Sequence, residues 1–134
     1  MPNDLKSAIP VMARAYLDER SLAIRTADSA RLRALATPDC PCQAFADRID
    51  ADWHRGRVDA PNFYAIERLG VVILTSKTTG HVTVFYRSHG YRVIDAQGRV
   101  LVNVPPDSKT ESTVVHVGKF GSAWRVFRVV NIVY

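Results

Sequence analysis

The stretch Ile49-Asp50-Ala51-Asp52-Trp53-His54-Arg55-Gly56-Arg57-Val58-Asp59-Ala60-Pro61-Asn62-Phe63-Tyr64-Ala65-Ile66 decides the fold, because the period of the apolar residues changes within it. Upstream, Cys42, Phe45, Ala46, Ile49 and Trp53 recur at i, i+3, i+4, i+7 and i+11, the buried stripe of an amphipathic helix. Gly56 is the natural stop for that helix. Downstream of Pro61 the period falls to about 2, the alternation of half-buried strands.

Working back from that point, the spacing predicts two earlier helices. The first runs from about Ala8 to Ala27, with Ser7 as its cap and Pro10 in its first turn. Ile9, Met12, Ala13, Tyr16, Leu17 and Ile24 form its apolar stripe. Asp28 caps a short second helix, Ser29 to Ala36, with Leu32 and Leu35 facing inward. Thr37-Pro38-Asp39-Cys40 breaks it, and the third helix begins at Asp39 or Cys40 with Pro41 at its first position. Asp47, Asp50 and Asp52, interspersed with Arg48 and Arg55, read as its solvated face.

Working forward, strands are expected over Phe63 to Ser76, His81 to Arg87, Tyr91 to Asp95, Arg99 to Val104, Ser112 to Phe120 and Ala123 to Tyr134, all rich in Val, Ile, Tyr, Phe and Thr. Thr79-Gly80, Ala96-Gln97-Gly98, Pro105-Pro106-Asp107 and Gly121-Ser122 mark the turns. Gly70 marks a bulge or bend, and Ser88-His89-Gly90 a kink within one longer strand. Helices first and strands last make this an α+β chain with a curved antiparallel sheet and three N-terminal helices packed in its concave face. All 134 residues are expected to form one domain, with 1–8 a disordered lead-in.

Composition narrows the function classes. Apolar residues are 47% and charged residues 23%, which excludes a disordered chain. The longest apolar run, Gly70 to Leu74, is strand-sized and far short of a membrane span. The N-terminus has neither a basic start nor an apolar h-region, so no signal peptide is expected within it. Net charge is +5, unevenly placed: residues 1–67 carry 9 basic and 10 acidic side chains, residues 68–134 carry 9 and 3. Arg87, Arg92, Arg99, Lys119, Arg125 and Arg128 make the sheet half basic. That is either a solvated face that resists edge pairing or a surface for an anionic partner. Nucleic-acid binding is not expected, because no recognition helix, RNP-like motif or basic tail accompanies these residues.

No cofactor motif is present: glycine-rich phosphate loops, nucleophile elbows and His-Glu zinc motifs are absent. Cys40 and Cys42 leave three readings open: a local disulfide, two reduced thiols with one packed in the helix stripe, or a redox or metal site at a helix N-terminus. Two cysteines are too few for a structural zinc, and no metal site is expected. His81 and His116 face one surface if their strands pair. No catalytic residue stands out, since the sheet half offers few carboxylates to set beside a donor.

The order of elements resembles the nuclear transport factor 2-like superfamily, which includes ketosteroid-isomerase-like and SnoaL-like proteins. More narrowly, Tyr16-Leu17, the Asp28 to Leu35 segment, Asp39-Cys40-Pro41-Cys42, Ile49, Gln97-Gly98 and Gly121-Ser122-Ala123-Trp124-Arg125-Val126 are similar to an uncharacterised family of actinobacterial or actinophage envelope lipoproteins. The cysteines of that family are usually separated by two intervening residues, whereas Pro41 alone separates them here. The resemblance implies a cystatin-like cone and an extracytoplasmic domain tethered by a lipidated segment upstream. The expected role is non-catalytic, presenting the basic sheet or the cone pocket to a protein or anionic polymer. The alternative is a small-molecule enzyme in the cone. Tyr16, Trp53, Tyr86, His81 and His116 are the pocket candidates. A homodimer through the open sheet face is the further expectation.

Overall fold

The computed structural model describes residues 3–60 and 63–132. Helices α1 (Leu5–Thr26), α2 (Ala30–Leu35) and α3 (Gln43–Arg55) precede eight strands. Five of these form one antiparallel sheet in the order β2 (Tyr64–Leu69), β4 (Thr79–Ser88), β7 (Glu111–Phe120), β8 (Ala123–Ile132), with β3 (Ile73–Leu74) also paired to β4. The other three, β1 (Arg57–Asp59), β5 (Tyr91–Ile94) and β6 (Val100–Val104), form a smaller antiparallel sheet in the order β1-β5-β6. The expected helices against a bent sheet are therefore present. The switch point at Pro61 itself lies outside the described residues, as do Met1, Pro2 and the last two residues of the expected final strand.

The core is the seam between α1 and the five-stranded sheet. Ala8, Ile9, Met12, Ala13, Tyr16 and Leu17 of α1 meet Val82, Val84, Val115, Val117 and Val126, all fully or nearly fully buried. In β4, Val82 and Val84 alternate with the less buried Thr83 and Phe85, as the two-residue period of a strand demands.

The structure corrects several expected boundaries. Helix α1 begins at Leu5, because the carboxylate of Asp4 accepts from the backbone N–H of Ser7 and from its hydroxyl. Ser7 is thus inside the helix rather than its cap. Residues 5–8 are helix rather than lead-in, and Pro10 sits within the helix. Helix α3 starts at Gln43, after Asp39, Cys40 and Pro41 have been used in turns. Strand β1 was unread in the sequence because only Val58 of its three residues is buried. Thr79-Gly80 is no turn. The reversal lies just before it, where Thr75, Ser76 and Thr79 hydroxyls bond one another. Gly80 lies within β4, where a Cβ would stand 2.6 Å from Ile9 Cδ1.

Ser88-His89-Gly90 is a corner between sheets rather than a kink in one strand. The chain leaves the larger sheet at Ser88 and enters the smaller one at Tyr91, turning at Gly90 with φ +77. Asp107 clamps this corner: its carboxylate accepts from Ser88 N–H, and its own N–H donates to the Ser88 carbonyl. No helix among the described residues is long and apolar enough to cross a membrane.

Candidate functional site

Helix α1 carries one cation on its inward face. Arg20 lies one turn after Tyr16 and one turn before Ile24, so it points into the cone and is only 6% exposed. Its guanidinium sits 3.6 Å from the ring centre of Phe45, with Tyr64 at 5.3 Å and Tyr16 at 5.6 Å. Cation–π attraction supports such a cluster, by about 2 kcal/mol when desolvated. Among the described residues no carboxylate pairs with Arg20, and its buried Nε has no hydrogen-bond partner. A buried cation without an anion costs several kcal/mol after relaxation, more than the rings supply.

Arg20 faces a cleft of about 280 Å³ at the cone mouth. Tyr16, Phe45, Ala44 and Val129 supply its walls, with Pro41 and Cys42 at the rim and Arg48 and Asn131 lining it as polar groups. Among the described residues no acidic side chain lines it. Burial raises the pKa of the Tyr16, Tyr64 and Tyr86 phenols, against the opposing pull of Arg20, so they remain protonated donors at neutral pH.

A second cavity, about 140 Å³, adjoins the first, sharing Phe45 and Arg48. Ile24, Ile49, Val58, Phe63 and Val104 make it apolar. Its polar centre is Asp52, 9% exposed, whose Oδ2 accepts from the Tyr91 hydroxyl at 3.0 Å. Burial first, then that carboxylate, raises the Tyr91 pKa, with Arg48 acting the other way.

The sequence candidates separate into groups. Tyr16 and Tyr86 belong to the cone, with Tyr86 edge-on to Tyr64 at 5.0 Å. Trp53 is half-buried, and its indole N–H donates to the Ile24 carbonyl, which joins α3 to α1. His81 and His116 are cross-strand partners with ring centres 4.9 Å apart, but they lie on the outer face of the sheet. They alternate with the inward Val82, Val115 and Val117 and so cannot reach the cone. Cys40 and Cys42 are joined in a disulfide, which takes one of the three readings.

The six basic residues do not form one patch. Arg87 pairs with Glu67, Arg92 with Asp59 and Arg99 with Asp95. The second of these pairs lies on the smaller sheet and the third in the turn between β5 and β6. Lys119 lies over Trp124 at 5.3 Å, Arg125 donates to the Trp124 carbonyl, and Arg128 is exposed beside His116. Of the three aspartates expected on the solvated face, Asp52 is buried, whereas Asp47 and Asp50 lie on the polar side, paired with Arg33.

Arg20, Phe45 and the Asp52–Tyr91 pair went unrecognised as site residues. The signal for Arg20 was a charge inside the apolar stripe of α1. For Asp52 it was a position three after Ile49, on the buried side.

No family model matches this sequence, and no curated protein does. Solved structures match along nearly the whole chain. The intermembrane space region of chloroplast protein ARC6 superposes with TM-score 0.71 at 16% identity, covering 99% of this chain and 100% of that one. An uncharacterised protein with a cystatin-like fold from Caulobacter vibrioides gives TM-score 0.62 at 13% identity, covering 96% and 88%. A ketosteroid isomerase-like protein from Erwinia carotovora atroseptica gives 0.59 at 20%, covering 99% and 100%. At these identities the likeness is one of fold. It is the cystatin-like, nuclear transport factor 2-like cone expected from the element order.

Proposed function

We propose that this chain is a non-catalytic binding domain that takes an anionic partner at the mouth of its cone. The observation that carries this is Arg20, buried, stacked on Phe45 and without a counter-ion among the described residues. An incoming anion would supply the missing charge where water competes least. The outer sheet is the weaker candidate, because Arg87, Arg92 and Arg99 are already paired. As the family resemblance implies, the domain would work outside the cytoplasm on an upstream tether. The Cys40–Cys42 disulfide is compatible with an oxidising compartment. A second copy on the outer sheet face is the companion proposal, tested by sedimentation at micromolar concentration.

The enzyme reading has one group to build on, Asp52 in its apolar cavity. His81 and His116 are on the wrong face to assist it, and Tyr91 already donates to it. Binding therefore remains the stronger reading.

Calorimetric titration with a panel of anions (phenylacetate, inorganic phosphate and polyglutamate) tests the proposal. At least one should bind the native chain, and Arg20→Met should lose that binding while keeping its circular dichroism spectrum. Equal binding by the folded variant would remove the cone mouth from consideration.

A further inference from the structure

The geometry around Arg20 narrows the class of anion. The Phe45 ring covers one face of the guanidinium, and Tyr16 and Tyr64 crowd it further. What remains for a ligand is the cleft-facing edge of the guanidinium, the unpartnered Nε–H being itself buried. An in-plane pair of N–H donors holds two oxygens of a carboxylate or of a phosphate, so the fork selects an oxyanion and the charge selects between them.

Charge and size narrow it further. The buried positive charge at the floor is a single one, and Arg48, the other cation lining the cleft, is exposed and stands beside Tyr91. A monoanion is matched by Arg20 alone, whereas a dianion would bring a second charge that no other buried cation among the described residues meets. The cleft, about 280 Å³ and open at its mouth, has room for a small molecule. The walls are aromatic and aliphatic, so the body of the ligand should be apolar.

We infer that the cone mouth binds a small monocarboxylic acid with an aromatic or branched apolar body, its carboxylate held edge-on by Arg20. This rests on the anion-binding reading above and assigns its chemical class.

The test is a calorimetric titration of the intact chain with phenylacetate, phenylacetamide, phenyl phosphate, inorganic phosphate and polyglutamate. Phenylacetate should bind at least tenfold more tightly than each of the others. Arg20→Lys, which keeps the charge but loses the fork, should weaken phenylacetate at least tenfold. The native-chain comparison needs no variant, so a folding defect cannot obscure it. Preferential binding of either phosphate, or of polyglutamate, would overturn the carboxylate inference and leave the anion site standing. Equal binding of phenylacetamide would show that the charge is not read, and no binding by any probe would overturn both.

Discussion

The hydroxyl of Tyr91 in β5 donates to Asp52 Oδ2 in α3 at 3.0 Å, and this bond ties the smaller sheet to the helical layer. Removing the donor leaves a mostly buried carboxylate oxygen unpaired, which costs about 1–3 kcal/mol. Tyr91→Phe should lower the urea midpoint accordingly. Asp52→Asn keeps an acceptor and should cost less, and the double variant Tyr91→Phe/Asp52→Ala should cost less than the sum of Tyr91→Phe and Asp52→Ala. Simple additivity would mean the bond does not join the layers.

The corner at Gly90 is the least tolerant turn. Its φ is +77, and a Cβ there would collide with the Val104 carbonyl. Gly90→Ala should destabilise by about 2 kcal/mol or more, combining left-handed strain with a backbone clash. Gly98 also has positive φ, +80, but its Cβ would meet nothing within 4 Å. Gly98→Ala should cost only about 1 kcal/mol. Comparing the two midpoints separates strain from collision.

His116 makes stability depend on pH. Burial holds its pKa below 6.5, and His81 and Arg128, facing it from the neighbouring strands, push the same way. Below pH 6.5 the unfolded chain therefore binds the proton more readily than the folded one. Stability from this group is complete above that value and is lost as pH falls through the window beneath it. His116→Gln should flatten the fall in melting temperature between pH 7 and pH 5, where about 6.5 is the ordinary histidine pKa. An unchanged slope would assign the dependence to other groups.

The Cys40–Cys42 disulfide spans a sequence separation of only 2. Chain-entropy reasoning for so short a loop gives roughly 1.5 kcal/mol. The loop is held independently by Thr37 N–H to the Val126 carbonyl and by Gln43 Nε2 to the Arg33 and Thr37 carbonyls. Reduction should add two hydrogens to the intact mass and lower stability by less than about 2 kcal/mol. Unfolding on reduction would show that the bond holds α2 and α3 together.

Local pattern in the sequence determined the class of each large element. The 3.6-residue stripe of α3, the valine alternation of β4, β7 and β8 and the cap signals are written within a few neighbouring residues, and tertiary packing kept them. Boundaries moved where a cap or turn had a local competitor, as at Asp4 against Ser7. The split of the strands into two sheets, and the meeting of Asp52 with Tyr91 across 39 residues, were decided only when layers packed. The same holds for Arg20 and Phe45, which lie 25 positions apart on different helices. A sequence records which residues are apolar or charged along one element, but a buried cation becomes a site only when packing encloses it without a counter-ion.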